Sequence, residues 1–440
     1  MPPLPRALAV IALVLSCNSC ASDGRARAAA ELDGSPPIGA VAGAPADDWT
    51  TFAHDQLRSG YQPQSTGISK RNVALLRLRW RYETGESIQA SPLVAGGRVY
   101  VETSNGNVIA LDARSGKIVW QRATAAVIAM TPALADGLLF IGDHRAGGAF
   151  MALDARTGST VWQTPFPGGV RSEPVIANGV VYEGETGGDA PACSHGGVHA
   201  LDERTGKTRW IWYVDEHPHE GGSVWSPLGY RAGRILFGTG NACEAGVANA
   251  DAVVELDTSG KPTWSFATAK SLADSDVGGG ILILHGQAIV TGKGGQLYDI
   301  EEKTGRVNWS TPLASARGYG GIGTPSSDGT MLVASAGYTS DPTTTKAPGG
   351  ALYGLDTKGD IVWTVRANHP ISGSASINDG VVYTPLDRSF VALDLATGAT
   401  LWQYANGRLG YASPAVVPSG VYFANTGGQV FAFGLPHRHA

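Results

Sequence analysis

One eleven-residue phrase, ALDARTGSTVW at 152–162, returns along the whole chain. Variants of it end at Trp120, Trp210, Trp264, Trp309, Trp363 and Trp402, and Trp80 in LLRLRWRYETG supplies one more matched tryptophan. These tryptophans stand 39 to 54 residues apart. A repeat of that length suits one four-stranded β-propeller blade, and the short alternating runs inside it exclude a helical repeat. Ahead of each phrase lies a second pattern, as in QASPLVAGGRVYVET at 89–103 and YASPAVVPSGVYFAN at 411–425. It reads as a short strand, a glycine turn and an alternating strand. The phrase adds a third strand, a turn in which Gly is free to take φ > 0, and a fourth strand ending in Trp.

The ends of the chain complete the count. QVFAFGLP at 429–436 is a third strand with no Trp strand after it, and LRLRWRYE at 76–83 is a fourth strand with nothing before it. Joined, they make one blade from both termini and leave no open edge. The expectation is an all-β, eight-bladed propeller over residues 49–436, with 437–440 as a tail. Sixty glycines in 440 residues, about twice the ordinary share, fit many short strands joined by tight turns. A net charge of −5 without a basic block argues against nucleic acid as a partner.

Residues 1–21 read as a signal peptide: a short n-region, then ALAVIALVLS at 7–16, too short to span a bilayer. VLSC resembles a lipobox ending at Cys17, the expected lipidation site, and SCA offers an alternative cleavage after Ala21. Residues 22–48 are Ala-, Gly- and Pro-rich and read as a flexible linker. The protein is expected to be exported to the periplasm or the cell envelope, touching membrane only through a lipid anchor. CNSC at 17–20 lacks the His that c-type haem attachment needs. Cys193 and Cys243 fall in insertions of neighbouring blades, and an oxidising compartment lets them form a disulfide.

Long insertions sit in the middle blades, at 183–197, 214–225, 240–251 and 267–280. With strands lettered A to D from the axis outward, the B–C loops and D–A crossovers emerge on one face. Glu185, Asn241 and Lys293 follow B strands of three consecutive blades, and Trp225 and Asp276 stand at crossovers. Five chemically capable side chains thus converge near the axis of one face. Arg171 and Arg145 lie on the same side. HPHE at 217–220 has metal-like composition but no partner cluster and reads as a polar insertion.

The A-L-D-x-x-T-G-x-x-x-W phrase resembles the repeat of pyrroloquinoline-quinone (PQQ) propellers. That family includes quinoprotein alcohol dehydrogenases and the scaffold lipoprotein of the outer-membrane β-barrel assembly machinery. GGSVWSPLGYRAGRILFGTGN at 221–241 is similar to the dehydrogenase segment with a tryptophan floor under the quinone and an asparagine calcium ligand. The resemblance implies those roles for Trp225 and Asn241. GETGG implies a calcium ligand at Glu185, with Glu183 an alternative two residues away. DSDVGGG implies the catalytic aspartate at Asp276, also a metal ligand, with Asp274 the alternative. VTGKGGQLYDI implies that Lys293 contacts the quinone carbonyls, as Lys does in relatives resembling polyvinyl-alcohol dehydrogenases. Arg171 and Arg145 suit the carboxylates of the cofactor. The paired cysteines over the quinone in that family are missing here. The expected function is PQQ- and calcium-dependent oxidation of an alcohol or sugar-like hydroxyl compound, with electrons passed to a separate acceptor. A non-catalytic scaffold that binds another envelope protein is the alternative.

Overall fold

The computed structural model describes residues 48–124, 126, 130–187, 195–215, 221–240, 247–269, 275–314, 321, 323–339 and 349–436. Among them the strands form eight antiparallel sheets with successive strands side by side. The first blade is Leu93–Ala95, Arg98–Glu102, Asn107–Asp112 and Ile118–Ala123. The eighth takes Ala415–Val417, Gly420–Ala424 and Gln429–Gly434 from the C-terminal end and Arg77–Glu83 from the N-terminal end. Arg77 pairs with Gly434 and Glu83 with Gln429, so the ring closes by β-pairing between its own ends, as the sequence predicts. The signal peptide, linker residues 22–47, Cys17, Cys193, Cys243, Asn241, Asp274, 217–220 and the tail 437–440 lie outside the described residues.

The repeated phrase has a mechanical reason. The tryptophan ring of each of seven blades lies on the glycine of the next blade's C–D turn. A Cβ on Gly116 would sit 2.6 Å from Trp80, and one on Gly206 would sit 2.5 Å from Trp162. Those glycines also hold φ of +69° and +68°, so the residue is required twice over, by conformation and by contact. The indole N–H then donates to a carbonyl of the same turn: Trp80 to Ala113 at 3.0 Å, Trp162 to Glu203 at 2.9 Å, Trp363 to Leu395 at 2.8 Å. Trp402 faces the blade built from two chain ends, which has no such turn. Its ring stands edge-on to Phe433 instead, 4.9 Å away. Gly206→Ala is therefore expected to destabilise the fold by about 2–4 kcal/mol, through strain at positive φ and displacement of Trp162. A urea midpoint unchanged from wild type would contradict this account.

A feature the sequence reading missed closes the axis. The segment 49–62 runs round the inside of the ring and bonds to the innermost strand of every blade. Trp49 exchanges backbone bonds with Val94, Thr50 accepts from Leu134, and the Gln56 side chain donates to Ile176. Tyr230, Ile283, Ser327 and Ile377 donate in turn to the carbonyls of Gln56, Leu57, Ser59 and Gly60. The Gln62 amide completes the circuit by donating to Val416 at 3.3 Å. Inner strands present one unpaired edge to the axis, and such edges need partners when water is excluded.

Arg58 anchors this plug. It is fully buried and donates to the carbonyls of Leu228, Phe52 and Pro174 at 2.7, 2.9 and 2.8 Å, and to Thr51 Oγ1 at 2.8 Å. Burial lowers its guanidinium to about 10, against the opposing pull of Glu173, Asp55 and Glu183.

Candidate functional site

On the face where the crossovers enter, the plug forms the floor of a cavity of about 370 Å³, with Phe52 at its base. All eight blades line it, through the residues just ahead of their innermost strands. A belt of hydrogen bonds joins these positions from blade to blade. The N–H of Gly280 donates to Thr324 Oγ1 at 2.7 Å, Thr324 to Ser374 Oγ at 2.8 Å, and Ser374 to Ser413 Oγ at 3.1 Å. Ser413 then donates to Ser91 Oγ at 2.8 Å, and Ser91 to Thr131 Oγ1 at 3.0 Å. Thr131 reaches Glu173 Oε1 at a longer 3.5 Å. A belt of short side chains that accept N–H bonds holds the wall rigid while leaving hydroxyl groups at the cavity rim.

One sector carries charge. Asp276, 7% exposed, holds Lys293 Nζ at 2.8 Å and the Trp225 indole N–H at 3.1 Å, both on Oδ2. Lys293 Nζ also stands 4.9 Å from the centre of the Trp225 ring, within cation–π range. The three are held by backbone: the Lys293 N–H donates to the Asp276 carbonyl at 3.0 Å, and Val277 donates to Thr239. Two glycines make room. A Cβ at Gly278 would strike the Trp225 ring at 1.8 Å, and one at Gly240 would crowd Asp276 Oδ1 and Trp225 Nε1, both at 3.1 Å. Trp225, Gly278 and Arg171 line the cavity, and the cluster sits at its edge.

Asp276, Trp225 and Lys293, singled out separately in the sequence, are thus brought together, and Arg171 shares their cavity. Two other expected residues are placed elsewhere. Glu185 is 1% exposed and does not line the cavity. Its oxygens are occupied by the Gly168 N–H at 2.5 Å and by His199 Nε2 at 2.7 Å, with His199 stacked on Phe166 at 4.1 Å. Both carboxylate oxygens are thus engaged within the blade. Glu183, the alternative, leaves Oε2 buried without a hydrogen-bond partner. It bonds to Ser172 Oγ and the Gly184 N–H inside the blade, and burial pushes its carboxyl well above the usual range. Arg145 is half-exposed and paired with Asp143 at 2.7 Å, lining a separate hollow of about 430 Å³. Strand alternation fixes the face on which a loop emerges, not how far its side chains reach toward the axis.

Sequence reasoning missed Phe52 and Glu173. Phe52 belongs to the plug, whose closure of the axis has no periodic signature. Glu173 was visible in principle, because SEPVIA stands where other repeats have ASPLVA, MTPALA and ASPAVV.

The donor set fits a flat anionic ring compound. Arg171, a tryptophan face, glycine-bared backbone and a rim of hydroxyls line the space, with Lys293 at its edge, and the space has the size of a small-molecule site. Among the described residues no group of three or more His, Cys, Asp or Glu side chains is arranged to hold a metal.

The profile of the family described as "Glucose/ethanol/alcohol dehydrogenase, beta-propeller domain" matches residues 49–131. That described as "Outer membrane protein assembly factor BamB" matches 122–224, 194–337 and 317–435. A polyvinylalcohol dehydrogenase of Sphingopyxis sp. is 25% identical over 452 aligned positions, covering 82% of this chain and 67% of that protein. The dehydrogenase subunit of a quinone alcohol dehydrogenase of Gluconobacter oxydans is 32% identical over 75 residues. That stretch spans 17% of this chain and only 10% of the relative. Among solved structures, a quinohemoprotein alcohol dehydrogenase from Comamonas testosteroni superposes with a TM-score of 0.73 at 19% identity, covering 90% of this chain and 82% of that one. BamB from Moraxella catarrhalis gives 0.62 at 16% identity, covering 81% and 99%. The blades, their tryptophan–glycine seams and these matches agree: the chain belongs to the family of PQQ-repeat β-propellers.

Proposed function

We propose that this protein is a PQQ-dependent oxidoreductase of the cell envelope that oxidises an alcohol or sugar-like hydroxyl compound at the axial cavity. The observation that carries the reading is the Asp276–Lys293–Trp225 cluster at the cavity edge. When bound, PQQ supplies the electrophilic carbonyl that accepts hydride. The rest falls to the chain. Trp225 offers its face to a flat ring, Lys293 and Arg171 supply positive charge for carbonyl and carboxylate oxygens, and Asp276 accepts the hydroxyl proton of the substrate. Calcium, an oxygen-seeking cation, is assigned to Asp276 together with Asn241. A separate acceptor takes the electrons. The relatives named as alcohol and polyvinylalcohol dehydrogenases support the substrate class.

The match to the BamB profile favours a second reading, a scaffold that binds another envelope protein. A scaffold, however, has no use for a buried acid paired with lysine at the edge of an axial cavity.

Adding PQQ and calcium to purified protein should produce a bound-cofactor absorbance band at roughly 300–400 nm, with tryptophan quenching. Asn241→Ala should raise the calcium needed for activity, by about 10–100-fold, without erasing turnover at saturating metal. Should wild type bind no PQQ at any calcium concentration, the scaffold reading takes over.

A further inference from the structure

The belt around the cavity is built from short hydroxyl side chains in five of its positions: Ser91, Thr131, Thr324, Ser374 and Ser413. Blade three alone among the acceptors puts a carboxylic acid there. Glu173 keeps the belt's function, since its Oε1 faces the Thr131 N–H, but the bond is long at 3.5 Å. One further methylene and the carboxyl carbon make its side chain longer than those of the belt's serines, and Glu173 lines the cavity beside Arg171 and Trp225.

Among the described residues, Glu173 takes part in no ion pair. Arg58 lies beneath it, yet its guanidinium donates to carbonyls, that of Glu173 itself among them at 3.3 Å. It compensates charge through space only. The other ionisable groups near this end of the cavity are Asp55 of the plug, which lies with Glu173 around Arg58, and Arg171 and Glu183 of its own blade. The Asp276–Lys293 pair lies further round the rim. Blades two and four meet Glu173 with Thr131 and Pro227, which carry no charge.

We propose that Glu173 is a specificity-determining residue of the axial cavity, donating a hydrogen bond to a carboxylate-bearing ligand when protonated and repelling that ligand when ionised. The inference rests on the reading of the cavity as the seat of an anionic cofactor, and PQQ is a tricarboxylate. Burial raises the carboxyl to about 7, with Arg58 and the Thr131 N–H pulling the other way. The sign follows. Below pH 7 the group is neutral and a donor, and above it each pH unit adds to the cost of seating an anion beside a carboxylate.

The test measures equilibrium binding of PQQ, and of benzene-1,3,5-tricarboxylate as a redox-inert probe, between pH 5.5 and 8.5. Tryptophan fluorescence gives the signal, and wild type is compared with Glu173→Gln and Glu173→Thr, the latter restoring the belt residue of blade two. Wild-type Kd should rise up to about tenfold per pH unit above 7, the slope for one linked proton. Both variants should bind with little pH dependence in that range. Equal slopes in wild type and Glu173→Gln would overturn the inference and leave the cofactor reading intact. A Glu173-dependent slope for the tricarboxylate, with no PQQ bound, would keep the inference and remove PQQ. Failure of wild type to bind either probe at pH 5.5 would overturn both.

Discussion

Asp276→Asn is expected to lower alcohol oxidation by about 10²–10⁴-fold while leaving the fold and PQQ affinity nearly unchanged. The amide has almost the shape of the carboxylate, and its oxygen still accepts from the Trp225 indole and from Lys293, which now reach Oδ2 at 3.1 and 2.8 Å. What it loses is the ability to take a proton at neutral pH. The carboxylate is well placed for that task, because it is 7% exposed and carries an ammonium beside it that balances its charge in a poorly solvated site. Single-turnover kinetics with pre-bound cofactor separate the chemical step from binding. Asp276→Ala should lose activity and also loosen Lys293, so a fall in cofactor affinity is expected there and not in the Asn variant. Near-wild-type turnover by Asp276→Asn would remove Asp276 from the chemistry.

Replacing Arg58 should have the largest effect on stability. Arg58→Met keeps much of the side-chain volume but strands the carbonyls of Leu228, Phe52 and Pro174 in the interior. A buried group left without its partner costs about 1–3 kcal/mol. Three of them, with partial relaxation, give an expected loss of about 3–5 kcal/mol, read as a lower urea midpoint with the slope unchanged. The variant also removes a positive charge that Glu173, Asp55 and Glu183 all feel. Arg58→Lys restores that charge without the planar fork that reaches several carbonyls at once, so its loss should be intermediate. A loss below about 1 kcal/mol for Arg58→Met would mean the plug is held by its backbone pairing alone.

The architecture was legible because each blade repeats the same physical solution. Trp on one blade needs a Cβ-free turn on the next, and this couples two positions of the phrase at seven of the eight seams, from Trp80 on Gly116 to Trp363 on Gly398. Closure was legible for the same reason: LRLRWRYE and QVFAFGLP are the two halves of a period that neither completes alone. The face of the site followed from strand alternation, which fixes at which end each loop emerges.

Distance from the axis is another matter. Glu185 is engaged within its own blade by His199 and Gly168, and Arg145 is paired with Asp143. Strand parity decides a face, whereas the direction of a side chain beyond the strand end is decided by which neighbour bonds it first. The plug lies further still from what a repeat can announce. WTTFAHDQLRSGYQ has no periodicity, and its meaning exists only once eight unpaired inner edges surround a common axis. By itself the sequence determined the ring, its seams and its closure, and offered a lysine, a tryptophan and an acid, Asp276 or Asp274, as candidates for one face. Only the tertiary structure decided that these three meet on one carboxylate oxygen, that a buried arginine seals the channel beneath them, and that a single glutamate interrupts the hydroxyl belt. These are contacts between residues far apart in the chain, and local pattern carries no record of them.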